Sequence, residues 1–389
     1  MSELLYGRWA ETKEALLEGL QGNKKSIMSV TLDNTRKYLA ESATAGATSA
    51  GNVATLNRVI LPVIRRVMPT VIANELVGVQ PMTGPVGQIH TLRVRYSDTY
   101  DTVVAGEEAL SPFKIANGYS GVPTDPNGKP ASTATLEGQA GKRLSIQILK
   151  QTVEAKTRKL SARWTFEAAQ DAQAQQGIDV EAEIMAALAQ EITAEIDQEI
   201  LASLSSLAGA ASQTYNQSAV SGTATFVGDE HAALAVLINR VANLIAQRTR
   251  RGGGNLAVVS SMALTILQSA TTSAFARTTE GTFEAPTNTK FVGTLNNAMK
   301  VYVNSYAQDT APVLIGYKGS GESDAAAFYC PYIPLMSSGV VLDPSTFEPV
   351  VSFMTRYGYV ELSIVASCLG NAAVYLGIVA IDANNVKIS

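Results

Sequence analysis

The sequence predicts a mixed α+β protein with a long helix and a hairpin that projects from its body. Apolar residues recur at every fourth position over residues 179–207, which is helical spacing. They alternate with polar residues over 90–96, 144–148 and 160–166, which is strand spacing. These strand patterns flank residues 106–138, which are rich in glycine and proline and are expected to form a long exposed loop.

The N-terminal part contains a predicted helix, a connector and an interrupted helical pattern. Residues 2–20 are predicted to be helical, with an apolar stripe made of Leu5, Trp9, Leu16 and Leu20. Residues 42–53 are small and polar, which predicts a flexible connector. Residues 56–76 have helical spacing, but Pro62 and Pro69 must kink or break this helix.

The clearest helix covers residues 179–207, and we call it the spine helix. Asp179 is its predicted N-cap. Its apolar ladder consists of Ile184, Leu188, Ile192, Ile196, Ile200 and Leu204. Each step of four residues advances ~40° around the axis, so the stripe spirals and must be buried on different sides along the helix. At about 1.5 Å per residue the helix is about 43 Å long.

A second long helix is predicted over residues 229–251, with Asp229 as its N-cap. Its last turn contains Arg248, Arg250 and Arg251, directly before three glycines at 252–254. Arginine followed by glycine is typical of a helix C-terminus, and arginines that face a neighbouring subunit are the alternative. A shorter helix near 261–270 is predicted among short strands and turns.

Composition indicates a folded protein that is partly covered by other chains. Of 389 residues, 46% are hydrophobic and 16% are charged, and the formal net charge is −4. Soluble chains usually carry about 25% charged residues, so the low charge predicts surface that is buried against other subunits. Disorder is excluded because the chain can bury a large core. A polybasic nucleic-acid binder is excluded because there is no basic excess.

The sequence contains no pattern typical of an enzyme, a metal site or a cofactor site. Cys330 and Cys368 lack the spacing of metal ligands. His90 and His231 belong to no catalytic or metal-binding motif, so structural roles are favoured. Residues 316–321 resemble a phosphate loop but have the wrong spacing and are predicted to form a turn. We therefore expect no enzyme activity and no cofactor.

Neither export nor a membrane partner is predicted. The first residues carry Glu3, Glu11 and Glu14 and lack the apolar core of a signal peptide. The longest apolar run, residues 372–381, is far shorter than the roughly 20 residues that a membrane-spanning helix needs. We expect a soluble protein.

Opposite charges are segregated in two neighbouring segments. Residues 142–163 contain seven basic residues and one acidic residue, whereas residues 171–206 contain eight acidic residues and no basic one. Either these are solvated faces, or the basic hairpin of one subunit contacts the acidic spine helix of another, and both interpretations stay open. The candidate subunit-contact residues are Arg143, Lys156, Arg158, Lys159, Arg163, Glu191, Glu195, Glu199, Arg250 and Arg251.

Several segments resemble the major capsid proteins of T-even-type contractile-tailed bacteriophages. They are residues 78–87 (GVQPMTGPVG), 153–160 (VEAKTRKL), 165–181 (TFEAAQDAQAQQGIDVE), 316–335 (GYKGSGESDAAAFYCPYIPL) and 343–358 (DPSTFEPVVSFMTRYG). The resemblance follows the family's order over residues 56–358 and implies the Hong Kong 97-type capsid fold. The implied parts are an N-terminal arm (1–76), an extended hairpin loop region (77–165), a peripheral domain (166–207 and 328–362) and an axial domain (208–327). Residues 363–389 stay unassigned between the peripheral and axial domains.

Several features depart from the family's pattern. Gln176 stands where the family commonly has histidine. Residues 112–137 are too few to hold an inserted clamp domain, because about 40 residues are needed to fold unaided. Residues 39–41 (Leu-Ala-Glu) resemble a maturation cleavage site, but we expect a retained arm. Some proteins with this fold crosslink a lysine of the loop to an asparagine beside a glutamate. No asparagine lies between Ser305 and Gly370 here, so this covalent crosslink is not expected.

The resemblance implies a major capsid protein that assembles as hexamers and pentamers into an icosahedral shell around double-stranded DNA, without sequence-specific contact. A portal and scaffold or decoration proteins are further implied partners, and the implied location is the virion, after assembly in the host cytoplasm. One alternative is an encapsulin-like shell with a protein cargo. The other is a hydrolase with a non-standard site, against which the scarcity of histidine argues.

Overall fold

The structure is a computed structural model. It describes residues 9, 13–14, 16–17, 22–44, 72–100, 103–109, 118–121, 129–137, 141–176, 179–220, 227–270, 275–277, 289–296, 298–320, 324–346, 348–362, 371–382 and 386. The helices are α1 (Gly22–Thr44), α2 (Ala73–Leu76), α3 (Thr133–Leu136), α4 (Phe166–Gln176), α5 (Val180–Ala208), α6 (Gln217–Val220), α7 (Val227–Thr249), α8 (Ser261–Ser269) and α9 (Ala372–Tyr375). The strands are β1 (Gly78–Val79), β2 (Val86–Tyr96), β3 (Leu144–Glu154), β4 (Lys156–Arg163), β5 (Gln213–Tyr215), β6 (Leu256–Val259), β7 (Phe275–Arg277), β8 (Thr289–Leu295), β9 (Met299–Asn304), β10 (Val313–Gly316), β11 (Ala327–Ser337), β12 (Val341–Leu342), β13 (Pro349–Glu361) and β14 (Leu376–Ile381).

The spine helix is α5, and its predicted start and apolar ladder are confirmed. Asp179 accepts hydrogen bonds from the backbone N–H groups of Glu181 (3.1 Å) and Ala182 (3.3 Å), as an N-cap does. The ladder residues from Leu188 to Leu204 are buried, while Ile184 is half-buried. Because the buried stripe spirals, the helix contacts β4 and β13 as well as α9 and β14.

Strands β2 and β3 form the predicted hairpin. They pair antiparallel along their full length, from Val86 opposite Glu154 to Tyr96 opposite Leu144. At the far end, Tyr96 contacts Tyr119 edge-on with ring centroids 4.7 Å apart. The residues beyond the paired strands therefore have a small aromatic cluster of their own.

At Ala155 the chain that leaves the hairpin changes its pairing partner. The backbone N–H of Ala155 donates to the carbonyl of Pro85 at 2.9 Å, and the next residues form β4, which pairs with β13. The alternating pattern over 160–166 belongs to β4 up to Arg163, whereas Phe166 begins α4. The basic residues of β4 thus lie in the main sheet and not on the hairpin, which corrects the interpretation of the charge pattern.

A five-stranded sheet supports the spine helix. Its order is β1-β11-β13-β12, and β4 pairs with β13 on the opposite edge from β11. Helix α1 packs on the same sheet, with Met28 and Leu32 buried. The side-chain amide of Asn34 donates to the carbonyls of Met82 (2.6 Å) and Tyr332 (2.9 Å), which fixes α1 against β11.

Helix α1 was not predicted, because its apolar residues are few and its core contacts lie far away in the sequence. Residues 42–44, expected to begin a flexible connector, are its last residues, and the rest of that connector lies outside the described residues. Five residues of the predicted helix over 2–20 are described; all are helical, and Leu16 is buried. The expected break at Pro62 and Pro69 lies outside the described residues.

A seven-stranded sheet, of order β5-β14-β10-β6-β9-β8-β7, forms the second body of strands. Alternate residues of its strands face two cores. Leu256 and Val258 pack in the core that contains the spine helix, and Ala257 and Val259 pack in a core with α7 and α8. Strand β14 pairs with β5 and β10, so part of the unassigned segment 363–389 belongs to this sheet.

Helix α7 begins two residues before the predicted N-cap, so Asp229 lies in its first turn. It ends at Thr249, and Arg250 follows with a left-handed φ of 49°. A side chain at Gly254 would clash, because its Cβ would lie 2.8 Å from Ile315 Cγ2. Helix α8 agrees with the prediction, and the Ser260 hydroxyl caps it by accepting from the backbone N–H of Ala263 at 3.3 Å.

Candidate subunit-contact surfaces

Arg158 contacts the acidic face of the spine helix within its own chain. Its Nη1 and Nη2 atoms each lie 2.7 Å from a carboxylate oxygen, of Glu195 and Glu199 respectively. Its Nε donates to the Tyr357 hydroxyl at 2.7 Å, and that hydroxyl donates to Glu199. We call these four side chains the Arg158 network. Two glutamates four residues apart share one helix face and repel each other, and one arginine offsets that repulsion.

The network is partly shielded from water, and its hydrogen bonds outweigh the cost of burial. Burial acts to lower the pKa of Arg158, but hydrogen bonds to Glu199 and Tyr357 raise it above its ordinary value. Burial acts to raise the pKa of Glu199, but hydrogen bonds from Tyr357 and Arg158 hold it below its usual range. Burial and the neighbouring Glu199 raise the pKa of Tyr357 to about 12. Arg158 and Glu199 are therefore charged at neutral pH, and Tyr357 is neutral.

An open groove of about 410 Å³ lies beside the network. Its lining residues are Arg158, Glu191, Ala194, Glu195, Gln198, Glu199 and Tyr306. Glu191 is exposed and forms no ion pair within the described residues. Gln198 and Asn304 close one side through a reciprocal amide pair, with N to O distances of 3.0 and 3.1 Å, which connects the spine helix to β9.

The other basic candidates on and near β4 are exposed. Lys156 and Lys159 form no ion pair in the part of the chain that the structure describes. The Arg163 Nε lies 3.8 Å from Glu348 Oε2, a long contact for an exposed pair. Arg143 is 78% exposed, and its Nη2 lies 3.9 Å from Asp98 Oδ1. Contact of these four side chains with another subunit stays a prediction.

Arg250 and Arg251 lie apart from the other candidates, at the C-terminus of α7. Arg250 is exposed. The Arg251 guanidinium forms an ion pair with Asp324, and its carbonyl accepts from the Tyr317 hydroxyl at 3.3 Å. Tyr317 stacks on Tyr375 with the ring planes 12° apart. Arg251 thus connects the C-terminal end of α7 to Tyr317 and Asp324 of the same chain.

The structure brings together only part of the predicted contact set. Arg158, Glu195 and Glu199 meet, but within one chain, whereas one of the two open interpretations placed them in different subunits. The physical reason is that β4 pairs with β13 and lies against the spine helix of its own chain. Sequence reasoning missed Tyr357, which the alternating pattern of β13 would have placed on the buried face.

Sequence reasoning missed a further candidate contact surface, which is apolar. Leu144, Ile146 and Ile148 lie on one face of β3 and are 53%, 69% and 67% exposed. We call these three residues the hairpin stripe. The alternation that predicted the strand also marks this face, but sequence alone does not tell whether the face is covered by the chain itself.

A second exposed apolar patch lies in the turn between β11 and β13. Val340, Val341 and Leu342 are 41%, 57% and 44% exposed. Single exposed apolar residues are ordinary, but contiguous ones mark interaction surfaces.

The histidine and cysteine side chains, which could in principle act in catalysis or metal binding, lie outside any catalytic or metal-binding arrangement among the described residues. His90 is exposed on β2, and His231 is buried in the second turn of α7, with its Nδ1 2.6 Å from the Ser269 hydroxyl. Cys330 is buried and unpaired, whereas Cys368 lies outside the described residues. Within the described ranges, no three histidine, cysteine or acidic residues are grouped as metal ligands. No described helix is long and apolar enough to cross a membrane.

An exposed apolar hairpin face beside a well-packed core is typical of a structural subunit, and this face is a candidate surface for contact with other chains. The chain belongs to the family described as Major capsid protein Gp23, whose sequence profile matches residues 53–140 and 124–381. The Gp23 family is a family of capsid proteins and not of enzymes. This membership favours the phage capsid interpretation over the encapsulin-like alternative.

Several major capsid proteins of phages are similar to this chain. That of Vibrio phage KVP40 is 29% identical, covering 85% of this chain and 81% of the relative. That of Enterobacteria phage T4 is 29% identical, covering 82% and 78%. That of Salmonella phage ViI is 31% identical, covering 83% and 80%.

Solved structures of phage proteins also align with the chain. A chain from Microbacterium phage Oxtober96 aligns with a TM-score of 0.46 at 10% identity, covering 80% of this chain and 90% of that one. A chain from the capsid of Myoviridae phage XM1 aligns with a TM-score of 0.42 at 10% identity, covering 80% and 91%. The α+β architecture, the hairpin and the spine helix expected for a Hong Kong 97-type fold are all present.

Proposed function

We propose that the chain assembles with copies of itself into hexamers and pentamers, which form an icosahedral shell around double-stranded DNA. The observation that carries the proposal is the hairpin stripe. A two-stranded sheet is marginally stable in water, and an exposed apolar face adds to its cost until another surface covers it. A neighbouring subunit is the partner that a capsid shell supplies. Such contacts are individually weak, and symmetry multiplies them.

The proposed parts follow the boundaries of the resemblance: an arm at 1–76, a hairpin loop region at 77–165, a peripheral domain at 166–207 and 328–362, and an axial domain at 208–327. The paired strands β2 and β3 support the second part, and the spine helix supports the third. The pairing of β4 with β13 supports moving residues 156–163 from the second part to the third. The place of β14 in the seven-stranded sheet supports adding residues 376–381 to the axial domain.

We also propose that the arm is retained after assembly. Residues 39–41 lie within α1, and a helix must unwind before a protease can cut it. Met28 and Leu32 of the same helix are buried in the core of the chain, so cleavage after Glu41 would remove packing that the subunit uses. Mass spectrometry of mature particles tests this: an intact arm agrees, and a chain that begins at Ser42 contradicts it.

The remaining partners are proposed from the assembled shell. A portal and scaffold or decoration proteins would contact the shell, and assembly would take place in the host cytoplasm. A net charge of −4 suits a wall that encloses DNA without binding it through specific contacts.

Electron microscopy of the purified protein tests the assembly. We expect shells, tubes or capsomers from the unaltered chain, and their loss in the double variant Ile146→Asp with Ile148→Asp. Ser145→Asp, on the opposite face of the same strand, is the matched control and is expected to assemble. Circular dichroism of each variant confirms that the subunit is folded. A double variant that is folded and assembles normally would refute the role of the hairpin stripe.

A further inference from the structure

Asp197 is a buried acidic residue that the contact surfaces do not use. It lies on the spine helix and is 1% exposed. Its Oδ1 accepts a hydrogen bond from the backbone N–H of Ile72 at 2.9 Å. Its Oδ2 is buried and has no hydrogen-bond partner among the described residues. A buried carboxyl group with an unpaired oxygen is costly when it is ionised.

Ile72 begins a short turn, residues 72–76, which we call the junction turn. The Ile72 carbonyl accepts from the N–H groups of Glu75 (2.9 Å) and Leu76 (3.1 Å) inside the turn. The Ile72 N–H points out of the turn and is bound by Asp197. Asp197, on another helix, therefore binds the backbone N–H of the residue that begins the turn, as the acidic partner in a capping box does.

The junction turn is also held by α1 and by the seven-stranded sheet. Glu75 accepts from Lys24 Nζ at 3.0 Å, from Lys300 Nζ at 3.3 Å and from the Tyr302 hydroxyl at 3.3 Å. Lys318 Nζ donates to the carbonyl of Asn74 at 2.7 Å. The turn thus connects α1, the spine helix and the second sheet, and Asp197 makes the connection to the spine helix.

The ionisable groups around Asp197 do not neutralise its charge. Burial raises the pKa of Tyr329, and Asp197 is one of the neighbouring groups that add to this effect. Burial also raises the pKa of Cys330 to about 11 and, together with the hydrogen bond to Glu199, that of Tyr357 to about 12, so these three groups stay neutral near pH 7. Glu75, on the junction turn, is held by Lys24 and Lys300. Glu199, on the same helix, is paired with Arg158.

We propose that Asp197 is a proton-operated latch between the spine helix and the junction turn. The protonated carboxyl group stays buried against Ile72 and keeps the turn closed. Loss of the proton leaves an unpaired charge in the core, and opening of the turn lets the carboxylate reach water. The latch controls how firmly the junction turn is held to the spine helix.

The pH dependence follows from linkage. Burial raises the pKa of Asp197 from 3.8 to about 7, against the smaller opposing effect of the Ile72 N–H. The closed state thus binds the proton more tightly than the open state. The stabilisation is complete below the ordinary pKa of aspartate and is lost as the pH rises through about 7. Above that value the fraction of open molecules increases with pH, and the increase approaches about tenfold for each pH unit.

Hydrogen exchange of the full, unassembled chain tests the latch. Protection factors of peptides covering residues 72–77, corrected for the intrinsic effect of pH, are measured from about pH 6 to about pH 8.5. We expect protection to fall above about pH 7 in the unaltered chain and in the control Glu191→Gln, which changes an exposed acid on the same helix. We expect no such fall in Asp197→Asn.

Two results would overturn the latch: protection of residues 72–77 that does not change with pH, or the same change in Asp197→Asn. If Asp197→Asn does not fold, infrared difference spectroscopy of the unaltered chain decides. A protonated carboxyl band that disappears near pH 7 supports the latch, and the absence of such a band refutes it. Either outcome leaves the capsid proposal unaffected, because the latch lies inside one subunit.

Discussion

The Arg158 network and the hairpin stripe are two parts of one continuous run of chain, and they are completed in different ways. Arg158 lies on β4 and finds both glutamates and Tyr357 within its own subunit. The stripe lies on β3, the strand that precedes β4, and it has no cover among the described residues. Charge complementarity thus acts within the subunit, while the apolar face of the hairpin stays exposed.

The largest expected effect separates the buried face of the spine helix, which carries the two glutamates of the Arg158 network, from the hairpin stripe by the same substitution. Ile200→Ala removes a side chain that is 1% exposed in the spine helix, and we expect a loss of roughly 2–5 kcal/mol in the free energy of unfolding. Ile146→Ala removes one that is 69% exposed, and we expect a change of less than about 0.5 kcal/mol for the free subunit. Denaturant unfolding of dissociated subunits measures both, and equal losses would contradict the comparison.

A smaller effect is expected at the Arg158 network. Arg158→Met removes the cation that pairs with Glu195 and Glu199, and we expect a loss of about 1–2 kcal/mol in the free energy of unfolding, since the network is partly exposed. Lys159→Met, on the opposite face of the same strand, is the control and should change little. If Arg158→Met left subunit stability unchanged but weakened assembly, the network would belong to an interface instead.

The smallest effect is a difference in acid sensitivity. The pKa of Glu199 is lowered, so its contribution is present above the ordinary pKa of glutamate and is lost as the pH falls through the lower, folded value. Between about pH 5 and about pH 3, the unaltered subunit should therefore lose more stability than Glu199→Gln. Thermal unfolding over this window measures the difference, with Glu191→Gln as the control. Parallel curves for the unaltered chain and Glu199→Gln would show that the network adds nothing.

Local patterns in the sequence predicted the elements whose signal is local. The i, i+4 ladder and Asp179 predicted the spine helix, and alternation at Leu144 predicted β3. The sequence could not show that β4 leaves the hairpin, because the change of partner at Ala155 depends on pairing with residues about two hundred positions later. Helix α1 was missed for a similar reason, since Asn34 is fixed by carbonyls on distant strands.

The candidate site was predicted in its residue types but not in its partners. Segregated charge correctly drew attention to Arg158, Glu195 and Glu199, but charge alone does not distinguish a contact within a subunit from one between subunits. Asp197 was counted among the acids of the spine helix, although its burial follows from the spiral of the apolar ladder.

Hydroxyl-radical footprinting of free subunits and assembled particles tests the central claim, that assembly covers the hairpin stripe and leaves the Arg158 network as it is. We expect labelling of Ile146 and Ile148 to fall several-fold on assembly, while Tyr357, buried in the subunit, is labelled weakly in both states. Equal labelling of the stripe in subunits and particles would contradict the claim.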